Sequence, residues 1–257
     1  MIYIETSVKE RVGYITLNRP EKRNALSFEL VSELKQAFSE AAQLQQVKVI
    51  VLQAHGEAFC AGADLGYLQQ LQQFSLEENL ADSHHLRELF ELIYHLPKVV
   101  IAKVQGAALA GGCGLASICD FSIAATEARF GYTEVKIGFV PAIVMTFLIR
   151  KVGEHHARQL LLSGEVIKAE QAERIGLITK VVAAAELDGA VQALAHKLVN
   201  TNSAQSMQLT KQMLAAVQDM SLTDALAFAA RQNAEARATD DCRSGIKAFL
   251  AKQELRW

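Results

Sequence analysis

The stretch from Val104 to Pro141 constrains this chain more than any other. An apolar run, Val99-Val100-Ile101-Ala102, leads to the small-residue segment Ala107-Ala108-Leu109-Ala110-Gly111-Gly112-Cys113-Gly114, and Leu115 to Cys119 then reads as a short buried helix. A strand, a side-chain-poor turn and a helix start, in that order, leave backbone N–H groups converging where nothing bulky blocks approach. Such a place favours negative charge. One acid, Glu134, follows in a mostly uncharged neighbourhood of Phe130-Gly131-Tyr132-Thr133 and Val135. A carboxylate beside an anion cradle is equipped to move protons next to a carbonyl.

Strand and helix signals alternate around this stretch. Ile2 to Ser7 and Val12 to Leu17 flank the turn Lys9-Glu10-Arg11 and read as paired strands. Asn18-Arg19-Pro20-Glu21-Lys22-Arg23-Asn24 then breaks regular structure. Ser27 is a good N-cap, and Leu30, Leu34 and Phe38 at four-residue spacing predict a helix with one buried stripe. Val47 to Leu52 is almost wholly apolar, as suits a strand covered on both faces, and it delivers the chain to Phe59-Cys60-Ala61-Gly62-Ala63-Asp64. The Gln-rich segment from Leu65 to Asn79 predicts a mobile lid or a loosely held helix, and Leu86, Leu89, Phe90, Ile93 and Leu96 predict a firmer helix ending before Pro97. Further on, helices are expected over 153–162 and 169–174 and a strand over 177–182. From Glu186 strand signals cease; Leu209, Met213 and Val217 mark one helix, and Ser221 with Asp224 caps another. This order predicts an α/β core over 1–183 and a helical region over 184–257.

Composition narrows the function. Hydrophobic residues make up 51% of 257, enough for a sizeable core, and a net charge of −2 offers no basic footprint for nucleic acid and no polybasic membrane anchor. No apolar run approaches the ~20 residues needed to span a bilayer, and the first residues lack the pattern of a signal peptide, so a cytoplasmic protein is expected. Cys60, Cys113, Cys119 and Cys242 have no CxxC spacing. They argue against a zinc site or redox pair, and Cys113 and Cys119 read as small core hydrophobes.

Taken in order and spacing, Phe59-Cys60-Ala61-Gly62-Ala63-Asp64, Ala110-Gly111-Gly112-Cys113, Phe130-Gly131 and Glu134 resemble the crotonase superfamily, the enoyl-CoA hydratases and isomerases. The resemblance runs from Asn18-Arg19-Pro20 and Asn24-Ala25-Leu26 to Phe249-Leu250-Ala251-Lys252. It implies a crotonase-type α/β spiral of ββα units, with the C-terminal helical region serving oligomerisation and site closure in a homotrimer or a dimer of trimers. It implies that the amides of Ala63 and Gly111 hold a thioester oxygen and that Glu134 is the acid/base. Lys22, Arg23, Ala25, Ala61, Asp64, Tyr132, Phe249 and Lys252 would surround the acyl-CoA, with Asp64 fixing a turn. CoA would arrive as part of the substrate, so no separate cofactor and no metal are expected.

One departure bears on the reaction. Family hydratases carry a second glutamate where this chain has Gly114. With one carboxylate the simpler reaction moves a 3-double bond to C2, since one group takes a proton from C2 and returns it at C4. The 3,2-enoyl-CoA isomerases resemble this chain in that respect, whereas the run Gly131 to Pro141 resembles hydratases. Hydration and isomerisation therefore both stand, beside decarboxylation of a malonyl- or glutaconyl-type thioester and non-catalytic acyl-CoA binding. Met145-Thr146-Phe147-Leu148 replaces a Gly-Gly-Thr-Gln-like sequence of the family, which affects pocket shape. His84 and His85, beside Asp82 and Ser83, lack a Gly-x-Ser-x-Gly elbow and are expected on a solvated helix face.

Overall fold

A computed structural model describes residues 1–257. Its elements in chain order are β1 (Ile4–Lys9), β2 (Val12–Leu17), α1 (Phe28–Gln43), β3 (Val49–Ala54), α2 (Leu65–Leu71), α3 (Leu76–His95), β4 (Val99–Val104), β5 (Ala107–Leu109), α4 (Gly111–Ile118), β6 (Phe121–Ala125) and β7 (Arg129–Gly131). Then come α5 (Ala142–Ser163), β8 (Val166–Lys168), α6 (Ala169–Arg174), β9 (Lys180–Val182), α7 (Leu187–Thr201), α8 (Ala204–Ala216), α9 (Leu222–Arg237) and α10 (Asp240–Leu250).

The strands wind through two sheets. The larger has the order β1-β2-β3-β4-β6-β9 and is parallel except for the β1–β2 hairpin; the smaller has the order β5-β7-β8. Each step of the coil gives one strand to the large sheet, a short pairing to the second layer, and then a helix. β4, β5 and α4 form one step, and β6, β7 and α5 the next. Before β5 the second layer continues as single bridges, Leu26 to Ala63 and Cys60 to Ala108. The central strands β3 and β4 are apolar except at Gln53 and Lys103, because both faces are covered. Ile50 and Leu52 of β3 join the main core with α1, α3 and α4, while Val49 and Val51 join a second core formed with Leu187, Val191, Ala195, Leu198 and Val199 of α7. No helix is long and apolar enough to cross a membrane.

Several expectations need correction. α3 starts at Leu76, well before the apolar periodicity, because Ser75 and Glu78 form a capping box: Ser75 Oγ accepts from Glu78 N (3.2 Å) and Glu78 Oε2 from Ser75 N (2.7 Å). The Gln-rich segment is a short helix, α2, followed by that capped start. The helix expected at Leu115 begins at Gly111. The helix expected over 153–162 is the second half of α5, which breaks at Gly153 (φ 73°, ψ 166°). The strand expected over 177–182 is confined to β9, since the amides of Leu177 and Ile178 both donate to Ala172 O (2.9 and 3.4 Å) and so turn out of α6.

α8 is tied to the sheet by a single carboxylate. Asp120 Oδ2 accepts from Lys211 Nζ and from Val100 N, both at 2.7 Å, and Lys211 also donates to Lys98 O (3.1 Å). Asp120→Ala would strand a lysine that is only 9% exposed. It is expected to cost about 2 kcal/mol, less than the figure for a fully buried pair because Asp120 is partly solvated. A urea midpoint lowered at unchanged slope is the measurement, and an unmoved midpoint would dismiss the anchor.

Candidate active site

Two turns meet at the top of the coil. Cys60 N donates to Ala107 O (3.1 Å) and Leu109 N to Cys60 O (2.9 Å), so the segment after β3 lies along β5. Leu26 N donates to Gly62 O (2.7 Å) and Asp64 N to Leu26 O (2.9 Å), which frames Ala63. The turns touch at glycines. A Cβ on Gly62, whose φ is +92°, would lie 2.7 Å from Ala110 Cβ, and one on Gly112 would lie 2.2 Å from Cys60 O. A Cβ on Gly111 would lie 3.1 Å from Leu26 Cδ1, and Leu26 is the residue bridged to Ala63. Ala63 and Gly111 are thus brought together. The Ala63 N–H has no acceptor within the chain, and Gly111, first residue of α4, has no intrahelical acceptor for its own.

The first turn is braced by Asp64 together with Arg19 and Asn24, and the part of these last two the sequence did not disclose. Asp64 is 8% exposed; its Oδ1 accepts from Tyr67 N (3.1 Å), capping α2, and its Oδ2 pairs with Arg19 Nη1 (2.9 Å). Burial alone would raise the Asp64 pKa, but the Tyr67 amide and the Arg19 guanidinium hold it below the usual carboxylate range. It is therefore a fixed anion that shapes the turn. Arg19 lies over the Tyr3 ring (5.1 Å to the centroid), and its N–H donates to Asn24 Oδ1 (2.9 Å). Asn24 Nδ2 donates in turn to His55 O and Ala58 O, both at 2.9 Å. Ala25 is buried beside it, Ala61 N donates to Arg23 O (3.0 Å), and Lys22 and Arg23 stand in solvent on the outer side of this loop.

Glu134 opens a 3-10 turn, Glu134–Ile137, directly after β7. Its side chain is buried, 8% exposed, and Oε2 has no hydrogen-bond partner. Burial raises its pKa above the ordinary glutamate value. Tyr132 is wholly buried with its hydroxyl toward Ser117 Oγ (3.2 Å) and Cys113, so it backs Glu134 instead of lining an open pocket. Burial pushes the thiols of Cys60, Cys113 and Cys119 up to about 12, which leaves no thiolate nucleophile at neutral pH. Ile137 (67% exposed) and Phe139 (54% exposed) form an apolar lip on and just past the turn that Glu134 opens.

The position of the family's second glutamate is filled. A Cβ on Gly114 would lie 2.3 Å from Val144 Cγ1 and 3.0 Å from Phe90 Cε1. Met145 to Leu148 lie inside α5, where Phe147 stacks on Phe90 (6.0 Å between centroids) and meets Tyr94 (5.2 Å). Tertiary packing decides this, and no local signal announces it. Phe249 (83% exposed) and Lys252 lie at and just past the end of α10, which packs on α8 and α9. His84 is exposed as expected, but His85 is bound to α1: it stacks on Phe28 (4.1 Å) and contacts Ser32 Oγ (3.0 Å) and Lys35 Nζ (3.2 Å). No group of three or more His, Cys, Asp or Glu side chains is arranged to hold a metal ion.

Comparisons with known proteins identify the fold and the family. A Thermus thermophilus protein provisionally named an enoyl-CoA hydratase is 41% identical over 257 residues, covering 100% of each chain. The crotonyl-CoA hydratase of Syntrophomonas wolfei is 35% identical over 97% of this chain and 95% of its own. Among solved structures, an enoyl-CoA hydratase of Mycobacterium smegmatis superposes with a TM-score of 0.94 at 32% identity, covering 99% of this chain and 98% of that one. The α/β coil is the crotonase fold. The model of the family described as enoyl-CoA hydratase/isomerase matches residues 7–257, and the chain belongs to that family.

Proposed function

We propose that this protein hydrates 2-enoyl-CoA thioesters with Glu134 as its single acid/base. The observation that carries the reading is Glu134 Oε2, a buried carboxylate oxygen left without a partner, three residues past the Gly131 carbonyl that accepts from Ala110 N. In the proposed reaction the thioester oxygen accepts from Ala63 N–H and Gly111 N–H. Glu134 takes a proton from water as the hydroxyl adds to C3, negative charge gathers on the thioester oxygen, and the protonated Glu134 returns the proton to C2. Water and enoyl thioester are thereby consumed and a 3-hydroxyacyl thioester results. Each amide is worth on the order of 3 kcal/mol in the transition state. All proton transfer and charge stabilisation is assigned to the chain's own groups, and CoA enters with the substrate. Lys22 and Arg23 are the proposed contacts for its phosphates, with Phe249 and Lys252 supplied by a neighbouring copy. α9 buries no residue within the chain, and Leu222, Leu226 and Leu250 stand exposed, which supports packing against other copies as a homotrimer or a dimer of trimers.

A second reading, isomerisation of 3-enoyl-CoA to 2-enoyl-CoA, is favoured by one observation: Val144 and Phe90 occupy the space a second carboxylate would need. Both reactions begin with ionised Glu134. Matched 2-enoyl- and 3-enoyl-CoA substrates, followed for water addition and double-bond migration, separate them. For either, kcat/KM is expected to rise with pH through a pKa above the usual glutamate value of 4.5 and to level off beyond it, because burial favours the proton. Water addition to the 2-enoyl substrate supports hydration, migration alone supports the second reading, and neither reaction overturns both. An acid limb at or below 4.5 would exclude Glu134 as the base.

A further inference from the structure

We infer that Ala110 is a positioning residue whose left-handed backbone and single methyl aim the Gly111 amide and lock the two donor turns together. The inference rests on the proposed oxyanion role of Gly111. Ala110 has φ 50° and ψ −127°, a conformation that favours glycine, and it immediately precedes α4. Strain of this kind persists only where the surroundings over-determine it.

The surroundings do so from both sides. Ala110 N donates to Gly131 O (2.7 Å), at the end of β7 and three residues before Glu134. Ala110 O accepts from Cys113 N (3.0 Å) and Gly114 N (3.1 Å), the first turn of α4. That carbonyl and the Gly111 N–H belong to one trans peptide and point in opposite directions. Gripping the oxygen from inside the helix therefore turns the N–H out of its N-terminus, toward the Ala63 side. To face β7 with its amide and α4 with its carbonyl at once, residue 110 must take positive φ.

The methyl has its own task. A Cβ on Gly62 would lie 2.7 Å from Ala110 Cβ, so the absent side chain at Gly62 leaves the space that the Ala110 methyl uses. Through that contact the turn carrying Ala63 is held against the turn carrying Gly111. A glycine at 110 would relieve the backbone strain and at the same time empty the contact. Stability and donor alignment are thus set against each other at one residue.

Ala110→Gly is the test, measured beside Ala110→Ser, which keeps the Cβ. The glycine variant is expected to raise Tm by about 2 °C or more. Its kcat on the thioester substrates should fall about tenfold, with KM within twofold of the parent. Ala110→Ser should retain kcat within threefold. The backbone order parameter at Gly111, a readout that needs no turnover, should drop from about 0.85 toward 0.6 in the glycine variant alone. An unchanged kcat and order parameter in Ala110→Gly would overturn the inference, as would Tm and kcat falling together, the mark of a merely structural residue. If neither enoyl substrate turns over in the parent, the proposed function fails, while the order parameter still decides whether Ala110 fixes the amide.

Discussion

Glu134→Gln is expected to lower kcat by about a thousandfold, to leave the KM for the thioester almost unchanged, and to raise the thermal stability of the protein. The three effects share one cause. Glu134 Oε2 is buried without a hydrogen-bond partner, and burial disfavours its charge. An unpaired buried polar group costs on the order of 1–3 kcal/mol and a charged one more, so a neutral amide is the smaller burden at this position. The sign follows from linkage. The folded pKa lies above the unfolded one, so the wild type keeps its full stability below the unfolded carboxylate pKa and loses part of it as pH rises through the raised folded value. The advantage of the glutamine variant should therefore be absent in acid, open across that window and stay constant above it. Thermal melts at several pH values and steady-state kinetics on both enoyl substrates provide the comparison. Turnover within tenfold of the wild type would remove Glu134 from the mechanism.

Gly114→Glu, which would recreate a two-glutamate site, is expected instead to destabilise the protein by about 3 kcal/mol or more. Position 114 has no room: the new Cβ alone would sit 2.3 Å from Val144 Cγ1, and Val144 and Phe90 both belong to the main core. Val144→Ala removes the closest atom, so Gly114→Glu combined with Val144→Ala should recover part of the loss, a non-additivity that marks direct contact. If the pair folds, its ratio of water addition to double-bond migration should exceed that of the parent. Chemical denaturation of the single and double variants settles the packing question. A single Gly114→Glu variant as stable as the parent would show that α4 and α5 separate easily there and that the apolar filling does not decide the chemistry.

Much of this was legible in the chain itself because it is local. The small residues at 107–114 and the acid at 134 mark a turn and a candidate proton carrier at short range, and the apolar runs at β3 and β4 mark strands covered on both faces. What stayed hidden depends on distant partners. Arg19 becomes meaningful only when Asp64 is found opposite its guanidinium, and the glycine at 114 only when Val144 is found in the space it leaves. The start of α3 escaped for another reason: its first half is polar, and its signal is the Ser75–Glu78 cap, which apolar spacing cannot reveal. Tyr132 misleads in the opposite sense, since an aromatic next to a candidate acid suggests a pocket wall and this one is wholly buried.

The bridges from Leu26 to Ala63 and from Cys60 to Ala108 join consecutive steps of the coil, so the turns that carry the two free amides are held by the winding itself. The apolar lip at Ile137 and Phe139 hangs on the short run between β7 and α5. In the proposed reaction the two donor amides and the lip are therefore carried by separate parts of the chain, while Glu134 shares its 3-10 turn with Ile137. On that proposal a changed side chain at Phe139, outside the turn that Glu134 opens, is expected to alter acyl choice generation after generation while the two amides stay where the winding holds them.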